Sequence, residues 1–182
     1  MSAATGLPML DRDERDVLEV LDAAVRSAAA MIEPIITLVD RKLKERPHEV
    51  LAWETIPLEY YGDRLPESIR SSWVFVLRAN VETGAERHPN SHQRMMSFRG
   101  YGDFQTQPER SWISHHLTSD PSAPLEARWI SIPPNVWHQG VVGPEDWAVV
   151  SFHTVLEHEL IEERPTTSDT EPVKQRKYAD DT

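Results

Sequence analysis

The chain has 182 residues, a formal net charge of −11 at pH 7 and no cysteine. This length suits one domain with terminal extensions, large enough to bury roughly two-thirds of its unfolded surface. The missing cysteine excludes disulfides, thiolate zinc sites and cysteine nucleophiles, and it fits a reducing, cytoplasmic location.

Met1 to Asp13 lacks the basic-then-apolar pattern of a signal peptide. Residues 11–46 read as helical, with Val17, Leu18, Leu21, Val25, Ala28 and Ile32 at helical spacing, then Ile35, Leu38, Val39 and Leu43. Pro34 falls inside this pattern, so a kink, or two helices meeting near Glu33, is expected. Residues 47–70 are turn-rich, with Pro47, Pro57, Gly62 and Pro66. From Ser72 onward β-branched and aromatic runs take over, at Trp73–Val81, Met95–Phe104, Trp112–Leu117, Ala127–Ile132 and Trp147–Leu156. Short strands at this spacing, with no helix between them, indicate an antiparallel sandwich or barrel. The segment from Glu162 is charged, rich in Thr, Ser, Asp and Pro, and without apolar periodicity, which reads as a flexible tail. The expected organisation is therefore a helical extension and turn-rich connection over 1–70, a barrel over 71–161 and an acidic tail over 162–182. No apolar run approaches the roughly 20 residues that span a bilayer, so no membrane partner is expected. No basic patch supplies phosphate contacts, which argues against nucleic acid.

Two segments carry the chemistry. Gly84-Ala85-Glu86-Arg87-His88-Pro89-Asn90-Ser91-His92-Gln93 is turn-rich and enters a strand, and Ile130-Ser131-Ile132-Pro133-Pro134-Asn135-Val136-Trp137-His138 does the same. Neutral imidazole binds first-row metals, and three protein ligands with open positions describe a catalytic rather than a closed site. On a regular strand His88 and His92 would share a face but stand roughly 13 Å apart. Both reach one ion only if Pro89-Asn90 bends the chain. A second arrangement pairs Glu86 with His88 at i, i+2, completed by Gln93 and His138. Glutamine is the weak member of that set because it brings no charge.

These spacings resemble the cupin superfamily. Counting back from Gly100, Gln93 falls where the family's first motif has glutamate, His88 at its second histidine and Glu86 at its first. Pro133 to His138 is similar to the second motif, Pro-x-Gly-x-x-His, with Asn135 in place of the glycine. Asparagine is the usual non-glycine residue at positive φ. The resemblance covers about residues 72–156. It implies a mainly β fold, a cupin-type jelly-roll barrel with N-terminal α-helices, and a divalent metal ion. Iron is the first expectation, with manganese, nickel or zinc as alternatives. The ligand set would be His88, His92 and His138 with Gln93 or Glu86. His92 has no place in the basic motif and would act through a His-x-x-x-His variant.

Further residues complete the expected pocket. Val149, Ser151 and His153 share one strand face, which makes His153 the acid/base candidate. Met95 and Ser97 share the face of Gln93, Arg78 could bind a carboxylate or phosphate with its guanidinium fork, and Trp137 could wall the site. The expected function is a metal-dependent enzyme acting on a small organic molecule, with oxygenase-type chemistry first. A lyase or an isomerase/epimerase follows, and a non-enzymatic ligand-binding module is the remaining alternative. A homodimer is possible, as is usual in the family.

Overall fold

The computed structural model describes residues 12–168 and 171–180. A long helix, α1 (Arg12–Glu45), precedes ten strands. These are β1 (Leu51–Thr55), β2 (Ser71–Leu77), β3 (Gln93–Arg99), β4 (Tyr101–Gln107) and β5 (Ile113–Thr118), followed by β6 (Trp129–Ile132), β7 (Trp137–Val142), β8 (Trp147–His153), β9 (Ile161–Pro165) and β10 (Val173–Lys177). Five strands form one antiparallel sheet in the order β1-β2-β8-β3-β6, three form another in the order β5-β4-β7, and β9 and β10 pair as a hairpin. The architecture is mainly β, a jelly roll with one N-terminal helix.

Residue alternation explains the layering, because successive strand side chains point to opposite faces. On the five-stranded sheet, Val74, Val76, Met96, Val150 and Phe152 face one way and join the buried stripe of α1. Trp73, Phe75, Met95, Trp147 and Val149 face the other way and, with Phe104 and Val142 of the three-stranded sheet, fill the space between the sheets. Gly100, at φ 91°, separates β3 from β4, so the expected single strand Met95–Phe104 is two strands that belong to different sheets.

Three expectations differ from the structure. First, α1 runs unbroken through Pro34. An interior proline costs about 3 kcal/mol. Leu18, Leu21, Val25, Ile32, Ile36, Val39 and Leu43 lie on one face and are buried against the same sheet on both sides of Pro34. Burial worth roughly 1.5–3 kcal/mol per large apolar side chain outweighs the defect. Second, the expected connection over 47–70 contains β1, which extends the large sheet from Leu51 to Thr55. Third, a hairpin and a buried Tyr178 occupy much of the region read as a flexible tail. Val173–Lys177 pairs with Ile161–Pro165, and Tyr178 packs against Trp73, Phe75 and His88 inside the barrel. No helix among the described residues is long and apolar enough to cross a membrane.

Candidate metal centre

The segment before β3 is held between two neighbours. Glu86 and His138 exchange both backbone hydrogen bonds, with Glu86 N to His138 O at 2.9 Å and His138 N to Glu86 O at 2.8 Å. Arg87 and Glu163 do the same on the other side, at 3.0 and 2.9 Å. Asn135 adopts φ 65°, the conformation that makes asparagine the natural replacement for glycine, and its N–H donates to the His88 carbonyl at 3.0 Å. The two histidine segments are thus tied together through their main chains.

Glu86, His88 and His138 each direct one donor atom into the same space, and the three atoms lie within 4.8 Å of one another. The tautomers follow from the partners. His88 Nδ1 lies 2.9 Å from the Ile161 carbonyl, and His138 Nδ1 lies 3.0 Å from the Val136 carbonyl. A carbonyl only accepts, so both Nδ1 atoms carry the proton and both Nε2 atoms present a lone pair. Carbonyl anchors of this kind orient metal-ligating imidazoles. His138 Nε2 is buried and has no hydrogen-bond partner. Its nearest charged neighbour, Glu86 Oε1, stands 3.6 Å away, beyond useful hydrogen-bond length.

Glu86 is aimed by a second contact. Arg164 of β9 donates from Nη2 to Glu86 Oε2 at 2.7 Å and from Nε to Glu162 Oε1 at 2.7 Å, while Arg176 of β10 donates to Glu162 Oε1 at 2.8 Å. One Glu86 oxygen is therefore engaged and the other faces the histidines. Burial pushes the Glu86 carboxyl up, but His138, His88 and Arg164 outweigh it and hold it well below the usual carboxylate range. Burial, followed by the proximity of His138, lowers His88 to about 4. At neutral pH the group is thus one carboxylate and a neutral His88.

Gln93, Met95 and Phe104 line a cavity of about 30 Å³ together with Glu86 and His138. Phe104 stacks on the His138 ring at 5.6 Å between centroids. Gln93 Nε2 donates to Ser151 Oγ at 3.1 Å, and Gln93 Oε1 is buried without a partner. Buried polar atoms are almost always paired in folded proteins. Two orphaned acceptors around one small cavity, beside a carboxylate and a second imidazole lone pair, form a donor set that fits a cation. Two histidines and one carboxylate with open positions suit a divalent first-row ion.

The other expected site residues fall elsewhere. His92 does not join the trio. It precedes Gln93 and faces the opposite side of the sheet, where Nε2 lies 2.7 Å from Ser131 Oγ and 3.8 Å from Glu14 Oε1 of α1. The bend at Pro89-Asn90 exists, but it brings Asn90 to the backbone of Glu159 and Ile161 rather than bringing His92 to the ion. Arg78 is not in the pocket: its guanidinium donates to the carbonyls of Leu43, Arg46 and Glu49 at the end of α1. Trp137, adjacent to His138, points away from the trio and lies beneath the Arg87 guanidinium at 4.5 Å. Ser97 donates to the Gly100 carbonyl and accepts from Trp147 Nε1 at 2.8 Å, fixing the core rather than lining the cavity. Met95 does line it.

His153 stands beside the trio, 5.2 Å from the His88 ring, with Nδ1 3.1 Å from Ser91 Oγ and Nε2 3.2 Å from Ser151 Oγ. Burial, and then the nearby His88 and His138, push its pKa well below the ordinary value, so it is neutral. Sequence reasoning missed Glu162, Arg164, Arg176 and Tyr178 because they lie in the segment read as a tail. The alternation Glu162, Arg164 facing Arg176 across a hairpin was the signal available.

No family model matches the chain, and no curated protein matches it. Among solved structures it is similar to cupin-fold proteins. One is the capsular polysaccharide assembling protein CapF from Staphylococcus aureus, at 11% identity and TM-score 0.45, covering 68% of this chain and 28% of that one. Another is the coconut allergen cocosin, at 19% and 0.49, covering 67% and 31%. A third is an oxalate oxidase in complex with the substrate analogue glycolate, at 12% and 0.45, covering 59% and 52%. The chain thus spans about a third to a half of the length of these structures. Likenesses this loose assign it neither substrate nor reaction.

Proposed function

We propose that Glu86, His88 and His138 hold a divalent metal ion, iron in the first instance, and that the protein is a cupin-type metal-dependent enzyme with oxygenase-type chemistry on a small organic molecule. The observation that carries this reading is the convergence of three donor atoms within 4.8 Å, with both histidines anchored at Nδ1. When bound, the ion supplies Lewis acidity and, as iron, redox chemistry with dioxygen.

The chain's own residues do the rest. Ile161 and Val136 carbonyls hold the imidazoles in one tautomer. Arg164 holds one Glu86 oxygen so that the carboxylate offers the other. Met95 and Phe104 give the cavity an apolar wall that excludes bulk water and strengthens electrostatic interactions inside. Gln93, anchored through Ser151, presents a carbonyl-type oxygen to the same space and can accept a hydrogen bond from a substrate O–H or N–H. Neutral His153, bracketed by Ser91 and Ser151, is a proton acceptor beside the trio.

The test is elemental analysis of protein reconstituted anaerobically with iron, manganese, nickel or zinc. The expected result is about one ion per chain, lost in His138→Ala. Wild-type protein that retains none of the four would overturn the metal reading. With the metal established, dioxygen uptake over a panel of small organic acids tests the oxygenase reading. Metal-loaded protein that consumes no dioxygen with any of them argues for lyase or isomerase chemistry instead.

A further inference from the structure

A second cavity, of about 520 Å³, opens beside the metal centre between the end of α1, strand β1 and the β9–β10 hairpin. This is the size of a small-molecule site, whereas the central cavity has room for little more than an ion and a reacting group. The two share Leu51, Thr83 and Tyr178. The two cavities therefore adjoin across these three residues.

Its charge is opposite to that of the protein. The lining includes five cations, Lys42, Arg46, Arg164, Lys174 and Arg176, against two acids, Glu49 and Glu162, in a chain whose net charge is −11. Several of these cations are occupied. Lys42 pairs with Glu54, and Arg164 and Arg176 both pair with Glu162. Arg46 and Lys174 make no ion pair among the described residues, and both are exposed. The end of α1 would ordinarily add negative potential here through its last carbonyls. Arg78 offsets that by donating to the Leu43 carbonyl in the last turn and to the Arg46 and Glu49 carbonyls just beyond the helix. Trp53 lines the cleft as well and stands 5.7 Å, ring to ring, from Tyr178, which gives the ligand's body an aromatic wall.

We infer that this cleft binds an anionic organic substrate, a carboxylate or phosphate ester. Its charged group would meet Arg46 and Lys174, and its body would lie along Trp53 and Tyr178 with the reacting end toward Glu86 and His138. A cleft with a surplus of one sign of charge raises the local concentration of the oppositely charged ligand. The identification of the reacting end rests on the proposed metal reading. Anion binding does not, and can be measured without metal.

The experiment is isothermal titration of the metal-free protein, and of His138→Ala, with succinate and with inorganic phosphate at low ionic strength. Saturable binding of at least one probe is expected, weakened fivefold or more in the double variant Arg46→Glu/Lys174→Glu. The control variant Arg41→Glu/Arg110→Glu makes the same charge change outside the cleft and should keep the wild-type affinity. Tighter binding of succinate assigns a carboxylate substrate, and tighter binding of phosphate a phosphorylated one. The inference is overturned if neither probe saturates, if the cleft variant loses less than fivefold, or if the control loses as much. Retained binding in His138→Ala alongside lost metal separates this result from the metal reading.

Discussion

The two faces of the five-stranded sheet make opposite use of their polar residues. Toward α1, polar groups are brought together to satisfy one another. Arg94 meets Glu14 through two hydrogen bonds at 2.7 and 2.8 Å, and Ser131 donates to the same carboxylate at 2.6 Å. Arg128 and Trp129 converge on Asp22 in the same way. Arg94 Nη1 is left without a partner there. Toward the barrel interior, two imidazoles are fixed at Nδ1, and His138 Nε2 and Gln93 Oε1 stay without a partner beside them. One face is built to close every valence it can, the other to keep a few available. Closure stabilises a helix-to-sheet contact, and availability is what a ligand site requires. His92 and His88 show the difference within a single segment.

The sharpest way to break this contrast is to exchange the histidines' fates. His88→Ala or His138→Ala should abolish stoichiometric metal binding, a loss of more than about 100-fold, while His92→Ala should leave affinity within about twofold, as read by titration with Fe(II) or Zn(II). If His92→Ala removes the metal, the contrast fails. The next effect lies on the opposite face. Asp22→Ala leaves the Arg128 guanidinium buried and unpaired, which should cost about 3 kcal/mol. At roughly 2–4 °C per kcal/mol for a chain of this size, calorimetry should show Tm falling by about 6–12 °C with metal content unchanged. Arg164→Ala should weaken the metal by about 10–100-fold while the fold survives, because it frees the carboxylate it orients.

Acid separates the faces in a different way. His88 takes its proton only near pH 4 in the folded protein, against about 6.5 when unfolded. The unfolded chain therefore binds more protons between those values, and the stability this neutral imidazole contributes is present above 6.5 and lost as pH falls toward 4. Glu14 behaves differently. Burial raises its pKa, but hydrogen bonds from Arg94 and Ser131 and the Arg94 charge outweigh that and hold it low. Its contribution is lost only below the ordinary carboxylate range. Denaturant midpoints of metal-free protein should thus decline first through the histidine range and again in stronger acid. The smallest change expected is in Ser131→Ala, about 1–2 kcal/mol for its hydrogen bonds to Glu14 and His92.

The barrel was legible because its strands carry β-branched and aromatic runs between turn residues, and His138 because Pro133-Pro134-Asn135 leads into it. The pairing of Glu86 with His88 was available from i, i+2 alternation alone. His92 was misplaced because its exclusion depends on where β3 begins: one residue of register puts Gln93 inward and His92 outward. Val173–Lys177 escaped notice because its sequence, Val-Lys-Gln-Arg-Lys, has no apolar alternation. It is held by its ladder to β9 and by ionic contacts such as Arg176 with Glu162. The role of Arg78 is not legible locally because the carbonyls it binds, at and just beyond the end of α1, lie about 30 positions earlier in the chain.

The double backbone bond between Glu86 and His138 has a thermodynamic consequence. An ion joining these residues closes a loop of about 50 residues, and a crosslink of that span normally stabilises a fold by restricting its unfolded ensemble. Here the antiparallel pairing has already closed the loop before any ion arrives. The metal therefore finds a preformed chelate and gains its affinity without having to order the chain. Stripping it should leave a folded, rebinding apoprotein, unlike small metal-nucleated domains that unfold when chelated.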